Sequence, residues 1–313
     1  MVLAGANDGM LHAFDGGFFN RDTTNFPGEH DAGTGRELFA WVPRAVMPNV
    51  YNMVYAAEHQ YMVDGHITTG DVWIDPDPDP SPSESDREWR TVALSNMRRG
   101  GRGIVALDIT QPDPLSGNNP TSGAAGDPGC LNFNGSTPAG CIDEYPKLLW
   151  EFSDTADSDG NLNGDLGWTW STPAIARIAI YNATTPAEPK EVFVAFFGGG
   201  WDFDLGTTGN FIYAVDIETG QVLVKYNTGT AMPAPPTVVD TNNDAFDDRV
   251  YFATGDGRIL RLQYPRPTDS ASTGATAYTI TTIYDFGGGE FFNRPVALPL
   301  GLGSGGYTYA LAL

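Results

Sequence analysis

Residues 209–226 read GNFIYAVDIETGQVLVKY, and this stretch decides the fold. Its first half, from Phe211 to Val215, is rich in the β-branched and aromatic residues that favour strands. Thr219-Gly220 follows as a turn, and a second apolar run begins at Val222. A strand, a tight turn and another strand predict an antiparallel β-hairpin.

The first half of this hairpin recurs along the chain as a glycine turn followed by an alternating strand, which in three copies ends in Asp. The copies lie about 45–50 residues apart or at roughly twice that distance. Such a period, with four short strands per repeat, is typical of propeller blades, although a Greek-key sandwich could carry the same local motif. The other copies are residues 7–15 (NDGMLHAFD), 101–108 (GRGIVALD) and 255–262 (GDGRILRL), with a fifth beginning near Gly306.

The predicted fold class is therefore all-β, a β-propeller with quinoprotein-like blades of four antiparallel strands and loop insertions. We expect residues 1–313 to form a single domain, a fragment of a longer secreted protein. The insertions lie near 75–90, where the sequence is acidic and proline-rich, and within 111–145. The second insertion holds both cysteines, Cys130 and Cys141, whose short loop predicts a disulfide and hence an oxidising compartment.

Charge and hydropathy exclude several classes of partner. The chain has 39 acidic and 17 basic residues, a net charge of −22, whereas a nucleic-acid surface needs clustered Lys and Arg. Anionic lipid is disfavoured for the same reason. No run of apolar residues is long enough for a transmembrane segment.

The sharpest chemical signal is the loop from Asp240 to Asp248. Oxygen-bearing side chains occupy its first, third, fifth and ninth positions, and strand-like segments flank it on both sides. Calcium prefers six to eight hard oxygen ligands, and a tight loop can supply them. The sequence thus predicts a Ca²⁺ site with the following ligands: Asp240, Asn242, Asp244, Asp248 and the backbone carbonyl of Phe246.

This loop is not a complete EF-hand. Ala245 stands where an EF-hand has glycine, and Tyr251 stands where it has the bidentate glutamate. We therefore expect an affinity of roughly 10⁻⁶–10⁻³ M. The simpler alternative is a turn rich in Asp and Asn that is capped by its own side chains.

A second, weaker candidate metal loop spans residues 157–165. It also alternates oxygen-bearing side chains, but glycine-rich Asp and Asn stretches are often plain loops. Its candidate ligands are Asp157, Asp159, Asn161, Asn163 and Asp165.

Catalytic motifs are not found. The four histidines lack metalloprotease spacing, and neither a nucleophile elbow nor a P-loop occurs. We predict that the protein is not an enzyme and has no catalytic residues.

Several segments, in order, resemble the C-terminal propeller of the PilC/PilY family, the type IV pilus tip-associated adhesins and assembly factors. The similar segments are residues 2–14, 37–43, 61–65, 100–108, 167–173 and the loop 240–248. The resemblance implies an extracellular location at the pilus tip or outer cell surface. It implies pilin or minor pilins as partners, with attachment to host cells or abiotic surfaces. It also implies that calcium occupancy modulates pilus extension against retraction.

Two other functions fit parts of the pattern. Propellers with such hairpins also hold pyrroloquinoline quinone with calcium, although quinoprotein dehydrogenases commonly carry adjacent cysteines over the cofactor and Cys130 and Cys141 are not adjacent. An integrin-like adhesive propeller would use calcium only to stiffen its blades.

Overall fold

The structure, a computed structural model, describes residues 1–17, 19–20, 29–30, 33–55, 58–75, 86–110, 146–153, 164–180, 190–202, 208–264, 278–303 and 306–312. Most of both predicted insertions, with Cys130 and Cys141, lies outside these residues, so the disulfide stays a prediction.

Three four-stranded antiparallel sheets form the centre of the fold, and in each the strands follow sequence order. The first contains β6 (Ile67–Ile74), β7 (Glu88–Asn96), β8 (Gly103–Asp108) and β9 (Lys147–Ser153). The second contains β10 (Ala174–Ile180), β11 (Lys190–Gly198), β12 (Phe211–Asp216) and β13 (Val222–Asn227). The third contains β14 (Thr237–Val239), β15 (Arg249–Ala253), β16 (Arg258–Gln263) and β17 (Thr279–Asp285).

Smaller elements precede and follow these sheets. A three-stranded sheet contains β1 (Val2–Gly5), β2 (Leu11–Phe14) and β5 (Glu37–Trp41). A short two-stranded sheet pairs β3 (Phe19–Asn20) with β4 (Glu29–His30). A second two-stranded sheet pairs β18 (Val296–Gly303) with β19 (Gly306–Ala312). A 3₁₀ turn, Arg44–Val46, leads into the helix α1, Met47–Met53. The predicted all-β class is confirmed. No helix within the described ranges is long and apolar enough to cross a membrane.

The recurring sequence motif occupies the third strand of each four-stranded sheet, β8, β12 and β16, and also β2. Its terminal Asp has a local structural role. The Oδ1 atoms of Asp15, Asp108 and Asp216 accept hydrogen bonds from the backbone N–H two residues later, at 3.0, 2.9 and 2.8 Å. In all three strands the register shifts just before this Asp. The motif therefore marks a repeated way of ending a strand.

The predicted hairpin of residues 209–226 is confirmed as β12 paired with β13. Its turn is closed by the Gly220 N–H, which donates to the Asp216 carbonyl at 2.8 Å. Gly220 has a φ of +71°, a conformation that glycine adopts without steric cost. Turn chemistry and strand propensity thus agree at this position.

The central sheets are buried on both faces because each packs between two others. In β11, Phe193 and Phe197 face the core shared with the β6–β9 sheet. The alternate residues Val194 and Phe196 face the core shared with the β14–β17 sheet. This two-sided burial explains why β11 is continuously apolar rather than alternating. The sheets are stacked in sequence order, and their first strands β6, β10, β14 and β18 contact one another in turn.

Candidate metal centre

Two paired strands hold the loop predicted to bind calcium. Val239 at the end of β14 pairs with Arg249 at the start of β15, so residues 240–248 close a hairpin. The residues of β15 after Arg249 are apolar or aromatic and buried, and β14 is partly buried. The strands predicted from sequence on both sides of the loop are confirmed.

Asp240 organises the first half of the loop. Its Oδ1 accepts hydrogen bonds from the N–H groups of Asn242 and Asn243 at 3.1 and 2.7 Å. Its Oδ2 accepts the Ala245 N–H at 2.8 Å. A carboxylate that accepts several backbone N–H groups folds the chain around itself.

Asp244 and Asn242 lie together inside this turn. The Asp244 Oδ1 accepts the Phe246 N–H at 2.9 Å, and its Oδ2 accepts the Asn242 side-chain amide at 2.7 Å. The remaining oxygen of that amide, Asn242 Oδ1, is buried and has no hydrogen-bond partner. A buried carbonyl without a donor is costly, and a hard cation would satisfy it.

Asp248 has a different environment from the other predicted ligands. Only 2% of the residue is exposed. Its Oδ1 accepts the Thr241 N–H at 3.1 Å, and its Oδ2 accepts the Thr241 hydroxyl at 2.5 Å. Asp248 therefore ties the two ends of the loop together through Thr241.

Two residues of the loop adopt left-handed backbone conformations. Asn243 has a φ of +60° and Ala245 a φ of +70°. Asparagine tolerates this region, whereas alanine pays a steric cost of about 1 kcal/mol. The Ala245 conformation persists because the Asp240 carboxylate binds its N–H.

Asp247 is a functional candidate that the sequence analysis did not select. Its backbone N–H and one carboxylate oxygen bond to the backbone of Arg177 in β10, at 2.6 and 2.9 Å. Its pKa is raised to about 6, mainly by burial and in smaller part by the neighbouring carboxylates of Asp240 and Asp248, against the lowering effect of the Arg177 hydrogen bond. The only sequence signal that could have selected Asp247 is that it forms an adjacent acidic pair with Asp248 at the end of the loop.

The donor set fits a hard cation. Asp240, Asn242 and Asp244 contribute side-chain oxygens within one turn, and the buried Asn242 Oδ1 has no hydrogen-bond donor there. Within the described part of the chain, no three His, Cys, Asp or Glu side chains converge in a preformed metal cage. As described, the loop is a self-capped turn, and Phe246 lies with its ring 4.3 Å from the Arg177 guanidinium.

The second candidate loop is largely outside the described residues. Asp157, Asp159, Asn161 and Asn163 are not among them, so this site stays a prediction. Asp165 is described, and its Oδ2 lies 2.5 Å from the Lys225 ammonium. An ammonium at this position supplies positive charge that a metal ion would otherwise provide.

Comparison with known proteins identifies relatives. No protein-family model matches the chain. A 118-residue segment is 39% identical to a type IV pilus biogenesis factor PilY1 homolog of Xylella fastidiosa, covering 37% of this chain and 7% of that protein. Over 270 residues the chain is 26% identical to the type IV pilus biogenesis factor PilY1 of Pseudomonas aeruginosa, covering 83% of this chain and 17% of that protein. The chain thus spans less than a fifth of the length of these curated relatives.

A solved structure shares the fold. The chain superposes on the crystal structure of the Pseudomonas aeruginosa PilY1 C-terminal domain with a TM-score of 0.57 and 23% identity, covering 95% of this chain and 49% of that one. The resemblance to the PilC/PilY family expected from sequence motifs is confirmed, because the curated homologues are PilY1 proteins and the structural neighbour is a PilY1 C-terminal domain.

Proposed function

We propose that this chain, a homologue of the PilY1 type IV pilus biogenesis factors, is a calcium-binding β-propeller that acts in type IV pilus biogenesis. The part of the proposal that concerns calcium depends on one observation. The buried Asn242 Oδ1 has no hydrogen-bond partner, although the backbone and side-chain N–H groups of Asn242 donate to the carboxylates of Asp240 and Asp244.

The propeller arrangement is supported by how the sheets follow one another. Each four-stranded meander packs face to face on the next, and the first strands β6, β10, β14 and β18 are successive neighbours. Blades that radiate from an axis bring their first strands together in this order. The two-stranded β18–β19 pair continues the same series.

Calcium would be held by side-chain oxygens of Asp240, Asn242 and Asp244, with the Phe246 carbonyl and Asp248 as further ligands. Each carboxylate oxygen has a second lone pair, so the hydrogen bonds within the loop leave acceptor capacity for an ion. The bound ion would supply positive charge that offsets repulsion among Asp240, Asp247 and Asp248.

The loop is well placed to couple ion binding to the rest of the molecule. The hydroxyl of Tyr309 in β19 donates to the Asp240 carbonyl at 2.9 Å. On the other side, Asp247 bonds to the backbone of Arg177 in β10. One loop therefore connects the β10–β13 sheet, the β14–β17 sheet and the β18–β19 pair, so ordering the loop would stiffen their junction.

In the assembled protein, we propose that calcium occupancy shifts the balance between pilus extension and retraction and affects surface attachment. The proposed partners are pilin or minor pilins, with host-cell or abiotic surfaces as the attachment target. The proposed location is extracellular, at the pilus tip or outer cell surface.

We also propose a non-catalytic role, since the relatives are named as pilus biogenesis factors and not as enzymes. A quinoprotein dehydrogenase would show the visible absorbance of a bound quinone. An integrin-like propeller would lose adhesion, and keep pilus assembly, when the calcium loop is changed.

Calorimetric titration with CaCl₂ tests the metal site. We expect saturable binding by the wild type, and at least tenfold weaker binding by Asp240→Asn and Asp244→Asn, which keep side-chain size and remove a negative charge. Asp71→Asn, the same change at an exposed position of β6, is the matched control and should bind as the wild type does. No binding by the wild type, or equal binding by all variants, would overturn the proposed site.

A further inference from the structure

The three-stranded sheet of β1, β2 and β5 contains a histidine whose two ring nitrogens both face carboxylates. The Nδ1 atom of His12, in β2, lies 2.6 Å from the carboxylate of Glu37, the first residue of β5. The Nε2 atom of the same ring lies 2.9 Å from the carboxylate of Asp8, in the turn between β1 and β2. We refer to Asp8, His12 and Glu37 as the His12 cluster.

This geometry selects the charged form of the imidazole. A neutral imidazole donates through one ring nitrogen and presents a lone pair at the other, whereas the imidazolium donates through both. An ionised carboxylate can only accept hydrogen bonds. Both contacts of His12 are therefore satisfied only while the ring carries two protons. The His12 side chain is 15% exposed, against 44% and 47% for the two carboxylate side chains, so the ring is the shielded member of the cluster.

The other neighbours of His12 in the sheet are uncharged. Its cross-strand partners are Ala4 in β1 and Ala40 in β5. The Phe14 ring is stacked on the imidazole with a centroid separation of 5.9 Å. In the part of the chain that the structure describes, the charged groups that face the ring are the two carboxylates of the cluster, one from the β1–β2 turn and one from β5. Proton binding by His12 is thus governed by these two groups.

The cluster has a defined direction of pH dependence. The pKa of His12 is raised from its ordinary value of 6.5, chiefly by the hydrogen bond to Glu37 and also by Asp8, against the opposing effect of burial. A histidine whose pKa is higher in the folded state contributes stability that is fully present below the unfolded-state pKa of 6.5. That contribution is lost as the pH rises through the folded-state pKa.

The turn that His12 holds also supports α1 and the segment that follows it. The Asn7 Oδ1 atom accepts the Met62 N–H at 3.1 Å. Val50 of α1 lies against Gly9 in the same turn, where a Cβ would come within 2.6 Å of it. A change in the position of the turn would therefore reach α1 and residues 61–63.

The sheet itself is weakly held at β1. Three of the four residues of β1 are exposed, and the sheet buries one face, through residues such as Leu11, Ala13 and Phe39. Elements with few buried apolar contacts open locally at a lower free-energy cost than a core that is packed on both faces. Contacts that join the β1–β2 turn to β5 consequently matter more here than in the four-stranded sheets.

We propose that the His12 cluster is a pH-sensitive switch that controls the opening of the three-stranded sheet. Protonated His12 joins the β1–β2 turn to the start of β5. When the ring releases one proton to solvent, one ring nitrogen presents a lone pair to a carboxylate, and that carboxylate turns away from it. The sheet then opens more often, together with the contacts that its turn makes to α1 and to residues 61–63. The proposal does not depend on the loop from Asp240 to Asp248.

An NMR titration in EDTA tests the protonation of His12. Long-range proton–nitrogen spectra of the labelled protein report how many ring nitrogens carry a proton at each pH. We expect a His12 pKa above 6.5 in the wild type, and a lower value in both Glu37→Gln and Asp8→Asn, each of which replaces an ionised acceptor by a neutral amide. A wild-type pKa at or below 6.5, or a pKa that neither substitution lowers, would overturn the proposal.

Hydrogen exchange tests the opening of the sheet. Between pH 6 and pH 9 we expect the protection factors of amides in β1, β2 and β5, corrected for the intrinsic pH dependence of exchange, to fall by about threefold or more. Amides in β10–β13 should keep theirs. The expected fall is modest because the carboxylates of the cluster are about half exposed.

Two histidine variants complete the exchange experiment. His12→Gln is uncharged at every pH and should abolish the pH dependence of the three-stranded sheet. His66→Gln makes the same substitution at an exposed position outside that sheet and should leave the wild-type profile unchanged. If protection in His12→Gln fell with pH as it does in the wild type, or if β10–β13 lost protection equally, the cluster would not control the opening of the sheet.

Discussion

Asp247 carries an electrostatic cost in the loop from Asp240 to Asp248. Its carboxyl is largely buried against β10, and its pKa is raised to about 6 from an ordinary value of 3.8. A raised pKa in the folded state means that the ionised form is the destabilising one. The cost is absent below the ordinary pKa, grows as the pH rises from 3.8 to about 6, and is fully present above the folded-state pKa.

Asp247→Asn should therefore stabilise the metal-free protein at pH 7.5. The expected gain in unfolding free energy is about 2–3 kcal/mol, since one pKa unit corresponds to about 1.4 kcal/mol. Asparagine can still accept the Arg177 N–H through its side-chain oxygen. Urea unfolding of both proteins in EDTA at pH 7.5 and pH 4 measures the difference, which should nearly vanish at pH 4. A difference that is equal at the two pH values would contradict the prediction.

The sequence predicted the loop from Asp240 to Asp248, but it did not predict the contacts that each of its side chains makes. Asp240, Asn242 and Asp244 do lie in one turn, as their alternation predicted. The hydrogen bond from Thr241 to Asp248 depends on the direction of the two side chains. The hydrogen bond from Arg177 to Asp247 depends on a neighbouring sheet. Spacing along the chain contains neither kind of information.

Among the elements, the β12–β13 hairpin shows how turn chemistry limits substitution. Gly220 has a φ of +71°, and a Cβ added there would lie 3.0–3.1 Å from atoms of Trp150 in β9. Trp150 is held in place by its indole N–H, which donates to the Ile217 carbonyl at 3.0 Å. Gly35 has a similar φ of +67°, but a Cβ there would meet nothing within 4 Å.

Gly220→Ala should cost about 2–3 kcal/mol of unfolding free energy, because backbone strain adds to overpacking against Trp150. Gly35→Ala should cost only about 1 kcal/mol, which isolates the strain of the backbone conformation. Chemical denaturation of both variants measures the two costs. Equal losses would show that Trp150 moves aside freely and that packing at the turn contributes nothing.

Strands were more predictable than the helix. Strand propensity and glycine turns predicted the third strands β8, β12 and β16 and the β12–β13 hairpin. Helix α1 was not predicted, because none of its residues is buried and it therefore has no amphipathic pattern. The only local helix signal is a proline near its start, Pro48.

For the whole molecule, a buried ion pair joins two neighbouring sheets. Arg87, the residue before β7, lies 2.6 Å from Glu218 in the β12–β13 turn, and their side chains are 6% and 4% exposed. Glu218 also accepts the Asp75 N–H at 2.8 Å, and Arg87 donates to the Glu191 carbonyl at 3.1 Å. Such a network makes the stability of one sheet depend on the next.

Glu218→Gln should lower the unfolding free energy by on the order of 3 kcal/mol, because it leaves the buried Arg87 charge without its carboxylate. Asp256→Asn breaks a comparable pair with Arg258, but these side chains are 45% and 26% exposed, so that loss should stay below about 1 kcal/mol. Urea unfolding followed by tryptophan fluorescence and by far-UV circular dichroism measures both. If Glu218→Gln cost no more than Asp256→Asn, the pair would not couple the sheets, and their cooperation would come from the shared apolar cores alone.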